Sequence, residues 1–164
     1  MAVATITETR QYLTFKLSGE VFGVDVAKVR EILEFTSITK IPRTPEFMCG
    51  VINLRGSVVP VMDMRRKFGM PQSEKTVNTC IVVVEVLHEG EIVVVGALAD
   101  SVQEVCELEP DRIEPPPRIG TGFNTDFIQG MGNDDGQFIM ILNIDNTFNN
   151  TELEMADEAM SVAA

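Results

Sequence analysis

The chain has 164 residues, and 25 acidic against 13 basic side chains give it a net charge of −12. A protein that binds nucleic acid through its phosphates needs a basic surface, so this balance argues against a nucleic-acid binder. An apolar content of 45% indicates a folded chain with its own core, and no apolar run approaches the roughly 20 residues of a membrane-spanning helix.

The first elements predicted are two strands of a hairpin. Residues 12–17 alternate apolar and polar side chains, which is typical of a half-buried strand. Its apolar side chains share one face: Leu13, Phe15 and Leu17. Residues 18–20 form a predicted turn, and residues 21–24 return as the second strand. Residues 1–11 contain neither a basic nor an apolar segment, so no signal peptide is expected.

Between Asp25 and Phe35 the apolar spacing changes to three and four residues, which predicts a short amphipathic helix. The side chains of this stripe are Val26, Val29, Ile32 and Leu33. Asp25 is placed to cap the first turn of that helix. Residues 38–45 contain two prolines and are therefore expected to be extended.

The stretch from Gly50 to Asp63 reads GVINLRGSVVPVMD. Two glycines frame a polar turn, Asn53-Leu54-Arg55, and a strand rich in β-branched residues follows. An arginine between an apolar segment and a glycine turn marks this stretch for function. A polar loop is predicted over residues 65–78.

The second half of the chain repeats this order. Its predicted elements are a strand at 80–86, a turn at 88–91, a strand at 92–95, an apolar segment at 100–108, a proline-rich segment at 114–118, a loop at 119–126, a turn at 133–136 and a strand at 138–144. The turn at 133–136 reads Asn-Asp-Asp-Gly, a strong hairpin signal.

Two alignments indicate an internal duplication. FGVDVAKVREIL (22–33) matches VGALADSVQEVC (95–106), and FMCGVINLRGSVVPVMD (47–63) matches FIQGMGNDDGQFIMILN (127–143). We therefore predict two units, at about 10–75 and 76–150, that share a core or exchange strands because each is too small to fold alone. Two small β-barrels side by side follow from this pattern. The second copy has Asp134-Asp135 where the first has Leu54-Arg55, so Leu54 and Arg55 are candidates for function.

The sequence offers little catalytic chemistry. His88 is the single histidine and lies in a predicted turn, and the three cysteines, at 49, 80 and 106, are far apart in apolar surroundings. They are expected to be reduced core thiols, with neither a metal site nor a cofactor. A paired-carboxylate enzyme remains an alternative. Its candidate residues are Asp25, Asp63, Asp100 and Asp126.

Four segments resemble the CheW family, the coupling proteins of bacterial chemotaxis. They are FGVDVAKVREIL (22–33), ITKIPRTPEF (38–47), GVINLRGSVVPVMDMRRKFGM (50–70) and ADSVQEV (99–105), within a resemblance that covers residues 10–150. The resemblance implies an all-β fold of two intertwined five-stranded SH3-like β-barrels with short helices. It leaves residues 151–164 as an acidic tail.

The resemblance also implies a role. Members of this family are non-enzymatic cytoplasmic adaptors that link the cytoplasmic tips of chemoreceptors to the histidine kinase CheA, whose regulatory domain shares the fold. Residue by residue, the receptor-contacting positions are Val29, Glu31, Ile32, Arg55 and Val105. Gly50 and Asn53 are the positions implied for the kinase side.

Two further interpretations stay open at this point. The same fold serves as a regulatory module of a larger kinase or of a receiver-linked coupling protein. The initiator methionine and the acidic tail favour a separate adaptor instead. An acidic cleft with two aspartates about 6–9 Å apart would favour the enzyme, and an apolar groove beside one arginine would favour the adaptor.

Overall fold

A computed structural model describes residues 8–35, 38–40, 42, 47–70, 75–115 and 127–147. Its strands are β1 (Arg10–Leu17), β2 (Glu20–Asp25), β3 (Val29–Glu34), β4 (Met48–Leu54), β5 (Ser57–Asp63), β6 (Cys80–His88), β7 (Glu91–Ala99), β8 (Ser101–Leu108), β9 (Ile113–Glu114), β10 (Ile128–Asp134) and β11 (Gln137–Leu142). The helices α1 (Met64–Lys67) and α2 (Ile144–Thr147) follow β5 and β11, and 3₁₀ turns occupy Val26–Lys28 and Pro110–Arg112. The acidic tail, the loop at 119–126 and most of the proline-rich segments lie outside the described residues.

Hairpins joined by two-residue turns build most of this fold. Their turns are Ser18-Gly19, Arg55-Gly56, Glu89-Gly90 and Asp135-Gly136, and all eight of these residues have positive φ. Turns of this kind match the right-handed twist of the strands they connect, which is why glycine occupies the second position. A hairpin is thus found at each of the four predicted turns. The strands that precede the second and fourth turns, β4 and β10, were not predicted. Leu54 belongs to β4, so the second turn is Arg55-Gly56 rather than residues 53–55. The other three turns are one or two residues shorter than predicted.

The strands form two sheets, and each sheet contains strands from both halves of the chain. One sheet has six strands in the order β8-β1-β2-β11-β10-β9, and the other has five in the order β3-β6-β7-β5-β4. The hairpin that opens each half pairs with later strands of the other half. The two curled sheets fit SH3-like barrels, so the predicted all-β fold is confirmed. The sixth strand is the two-residue β9.

Equivalent contacts recur in the two halves. The strand exchange uses two parallel pairings, Ile141 opposite Gly23 and Val61 opposite Gly96. At either glycine a Cβ atom would lie 2.9 Å from an isoleucine methyl group, so the neighbouring strands can come this close only at glycine. These matched contacts agree with the duplication. The division near residue 75 stays a prediction.

The predicted helix over residues 25–35 is wrong. Only Val26–Lys28 makes a helical turn, which Asp25 caps as predicted, because its Oδ1 accepts a hydrogen bond from the Ala27 amide at 2.9 Å. The following residues form β3, which pairs with β6 and has a bulge between Val29 and Glu31.

The bulge explains the misleading spacing. An extra residue in a strand resets its alternation, so Val29 and Ile32, three residues apart, lie opposite Val84 and Val82 on one face. β8 repeats this arrangement. A register shift brings Val102 and Val105 opposite Phe15 and Leu13. In both halves a bulged strand thus produces the apolar period of a helix.

The largest apolar cluster contains residues of both sheets. Leu13, Phe15 and Leu17 belong to it, as predicted, together with Val84 and Met62. The outward face of β1 is also buried, because Tyr12 packs with Leu108 and Ile141 in a separate small cluster. Phe15, Phe22, Phe68 and Phe127 form a chain of stacked rings through the molecule.

The Tyr12 hydroxyl is buried and has no hydrogen-bond partner among the described residues. Burial also raises the pKa of this phenol, with a further contribution from Asp25. A buried polar group without a partner costs about 1–3 kcal/mol, so Tyr12→Phe is expected to raise the free energy of unfolding by about 1 kcal/mol. Urea denaturation measures this change, and Tyr12→Ala, which removes the ring, is the destabilising control. A loss of stability in Tyr12→Phe would mean that the hydroxyl has a partner.

Candidate partner-binding surface

The tip of the β4–β5 hairpin presents Arg55 to solvent. Its turn is held by the Asn53 side chain, whose Oδ1 accepts a hydrogen bond from the Gly56 amide at 2.9 Å. Asn133 and Gly136 make the same bond at the same distance in the second half. The two turns share one backbone conformation, so the difference between them is the side chain at the tip, Arg55 or Asp135.

Arg55 forms an ion pair with Glu31 of β3. Its Nη2 lies 2.8 Å from Oε2 and 3.2 Å from Oε1 of Glu31. The Arg55 side chain is 78% exposed and that of Glu31 is 19% exposed. Because a guanidinium has five N–H donors, the pair orients Arg55 and leaves donors available to a partner. Two residues that the family resemblance named are thus brought together.

The apolar candidates differ in exposure. Val29 is half-buried against the main cluster, whereas Ile32 is 45% exposed on the same face of β3. Val105 occupies the matching position on β8 and is 50% exposed. β3 and β8 are edge strands of different sheets. Ile32 follows Glu31, the partner of Arg55, along β3, but the two side chains lie on opposite faces of this edge strand, because they are opposite the adjacent residues Val82 and Val83. Val105 lies at the edge of the other sheet.

Gly50 has an internal role. It is buried with φ +144, and a Cβ there would overlap the carbonyl oxygen of Thr39 and approach a methyl group of Ile38 to 2.8 Å. Thr39 and Val51 exchange two backbone hydrogen bonds of 2.9 Å, which hold this segment against β4. Gly50 and Asn53 thus both shape the hairpin, and their assignment to the kinase side stays a prediction.

A buried charge network lies at the end of β5 that is distant from the hairpin tip. Asp63 caps α1 by accepting the Arg65 amide at 3.0 Å, and both side chains are almost fully buried. Arg65 Nη1 lies 3.1 Å from Asp100 Oδ1, and Asp100 Oδ2 accepts the Ser18 amide at 2.7 Å. The network joins α1 to the β1–β2 turn at the point where the chain passes from β7 to β8.

The second half has a matching ion pair of opposite polarity. Asp145 of α2 pairs with Lys28 at 3.0 Å, where the chain passes from β2 to β3. The same carboxylate accepts the Leu87 amide at 2.8 Å. Sequence reasoning missed both pairs because a run such as Met-Arg-Arg-Lys is typical of a solvated surface. The alignment of Asp63 with Asn143 was the one available signal.

The enzymatic alternative gains no support from the three described aspartates. Asp25 binds Arg10 at 2.8 Å and caps a turn, and Asp63 and Asp100 share Arg65. Asp126 lies outside the described residues. Among the residues that the structure describes, no group of three His, Cys, Asp or Glu side chains is placed to hold a metal.

The three cysteines are free. Burial is the largest cause of a raised pKa at each of them, and at Cys49 burial, with Asp63 second, raises the pKa to about 11. Their thiols are therefore protonated near neutral pH, in keeping with the prediction of reduced core thiols.

Comparison with known proteins places this chain in a family. The model of the CheW-like domain matches residues 11–152. The chain belongs to the CheW family. The resemblance in the sequence is thereby confirmed. No helix within the described ranges is long and apolar enough to cross a membrane.

Relatives match over most of their length. The chain is 34% identical to the chemotaxis protein CheW of Rhizobium meliloti over 147 residues, which are 90% of this chain and 92% of the relative. It is 32% identical to the CheW of Klebsiella aerogenes over 151 residues, 92% and 89% of the two chains. A crystal structure of the scaffolding protein TtCheW from Thermoanaerobacter tengcongensis matches with a TM-score of 0.77 and 36% identity, covering 87% of this chain and 94% of TtCheW.

Proposed function

We propose that this CheW-family chain is a non-enzymatic adaptor that couples chemoreceptors to the histidine kinase CheA. The observation that carries the proposal is the family match over residues 11–152, which includes relatives named chemotaxis proteins and a solved relative named a scaffolding protein. The adaptor works in the cytoplasm and is recruited to receptor arrays at the membrane. It uses neither a cofactor nor a metal.

The receptor-binding surface in this proposal consists of β3 and the tip of the β4–β5 hairpin. An amphipathic helix of the receptor lays its apolar face on exposed Ile32, which is a common mode of helix recognition. Arg55, oriented by Glu31, donates a charge-assisted hydrogen bond to a receptor carboxylate or to a carbonyl at a helix end. Val29 supports Ile32 from the core, and Val105 extends the contact on the other sheet.

The kinase surface includes Gly50 and Asn53. The Gly50 backbone and the Asn53 side-chain amide set the shape of the hairpin. The kinase recognises that shape rather than a reactive group. Because the regulatory domain of the kinase shares this fold, as the family resemblance implies, adaptor and kinase can alternate in rings. The most informative experiment is a pair of separate pull-downs, one with CheA and one with a receptor signalling fragment.

Arg55→Asp is expected to weaken binding of a receptor fragment about tenfold or more, because it reverses the charge that meets the receptor. The ion pair that it breaks is largely exposed, so the free energy of unfolding should change by about 1 kcal/mol or less. Titration calorimetry measures the affinity, and a thermal melt measures the stability.

Arg112→Asp is the matched control, since it makes the same charge change at an exposed residue in the 3₁₀ turn after β8. Equal weakening by both variants would mean that only net charge matters. Unfolding of Arg55→Asp would assign Arg55 a structural role instead.

A further inference from the structure

The β6–β7 hairpin is longer than its counterpart in the first half. From the glycine at the strand exchange to the turn, β1 and β2 form three further residue pairs, whereas β6 and β7 form five. The additional pairs are Leu87 with Ile92 and His88 with Glu91. The second copy thus carries an extension that the duplicated fold does not require.

This extension exposes an apolar pair. Leu87 and Ile92 are direct cross-strand neighbours, so their side chains share one face of the hairpin, and they are 52% and 62% exposed. Single exposed apolar side chains are ordinary on a protein surface, but two that adjoin at the end of a hairpin form a continuous patch.

The end of the hairpin extends beyond its neighbouring strands, while Val86 within it stays fully buried in the main apolar cluster. The pairing of β3 with β6 stops at Val84, and that of β5 with β7 begins at Gly96. Within the described part of the chain, residues 85–94, here called the arm, therefore pair as strands only with each other. The Asp145 carboxylate, itself bound to Lys28, holds the Leu87 amide and fixes the outer edge of the arm.

The arm itself is acidic. Glu85, Glu89 and Glu91 belong to it, and no lysine or arginine occurs in the sequence between Lys75 and Arg112. Lys28 lies near the arm, where it forms an ion pair with Asp145. The tail at 151–164 also contains acidic residues and no basic ones, so it has the wrong charge to cover the arm. Charge complementarity points to an occupant with an apolar depression rimmed by basic side chains.

We propose that the arm is a docking element for such a surface on the kinase CheA, an inference that rests on the proposed function. The receptor contact proposed above uses β3 and the β4–β5 tip, which leaves the arm to the other partner. Leu87 and Ile92 would enter the apolar depression, and Glu89 and Glu91 would face its basic rim. Asp145 is a positioning residue, because it acts through the Leu87 amide.

The test is the affinity of the full chain for purified CheA with Leu87→Ser and Ile92→Ser combined. We expect affinity for CheA to fall about tenfold or more, while affinity for a receptor fragment and the thermal midpoint stay unchanged. Glu89→Lys with Glu91→Lys should also weaken CheA binding, and most strongly at low salt. Val77→Ser is the matched control, since Val77 is fully exposed and lies outside the arm.

Several outcomes would overturn the inference. If the wild-type chain binds neither CheA nor receptor, both the proposed function and the docking role of the arm are refuted. If the wild-type chain binds CheA and the Leu87→Ser, Ile92→Ser double variant binds it equally well, only the docking role of the arm is refuted. Loss of receptor binding only, or loss of self-association only in sedimentation, would assign the arm to the receptor or to a second copy. Tighter CheA binding after removal of residues 151–164, with an unaffected double variant, would make the tail the occupant.

Discussion

Replacing Arg65 with methionine is expected to lower the free energy of unfolding by about 3–5 kcal/mol. The guanidinium lies between two carboxylates, 3.4 Å from Asp63 Oδ1 and 3.1 Å from Asp100 Oδ1. Arg65 and Asp63 are each 5% exposed, so the substitution removes the nearer cation from a buried carboxylate and leaves it Arg66, whose Nε lies 3.8 Å from Asp63 Oδ2. Urea denaturation followed by circular dichroism measures the loss.

Arg55→Met is the control for Arg65→Met, because it removes an arginine of the same size from an exposed ion pair. Its expected cost is about 1 kcal/mol or less. Equal losses of unfolding free energy in the two variants would show that burial of the Arg65 network does not stabilise the fold. The stabilising role assigned to Arg65 would then be wrong.

Gly50→Ala is expected to cost about 3 kcal/mol or more. Two effects add at this position. An alanine is strained at φ +144, and its Cβ would overlap the Thr39 carbonyl oxygen. Relief of the overlap requires residues 38–40 to leave β4, which breaks the two hydrogen bonds between Thr39 and Val51. A thermal melt and urea denaturation report the loss.

Gly56→Ala separates the two effects. Gly56 has φ +88 but open space around its Cβ, so only backbone strain, about 1–3 kcal/mol, is expected there. Gly50→Ala also tests the proposed kinase assignment of Gly50. Loss of CheA binding beyond the loss of folded chain would support the assignment, and CheA binding in proportion to the folded fraction would contradict it.

Local patterns predicted most of the hairpins because strand alternation and X-Gly turns are read within a few residues. The same locality caused the error at β3. Val29 and Ile32 share a face through a bulge and pairing with β6, and a bulge has no signature in one strand alone. The positions of the strand exchange could not be predicted either, because they depend on pairing between residues as distant in sequence as Gly23 and Ile141.

The candidate site was predicted in part. Arg55 emerged from comparison of the two turns, and the structure adds its ion pair with Glu31. The Arg65 network was missed because burial of a charged run is decided by the packing of distant elements. The arm was missed because a longer hairpin resembles an ordinary one until its register is compared with that of β1 and β2.

The exchange of strands between the halves has a consequence for synthesis of the chain on the ribosome. The β1–β2 hairpin is made first, but its neighbours in the sheet are β8 and β11. Its two edges therefore stay unpaired and its apolar face stays incompletely buried until almost the whole chain has emerged. Long-range pairing of this kind slows folding and exposes strand edges meanwhile. Pairing of both edges of the β1–β2 hairpin is therefore completed only after translation has reached β11.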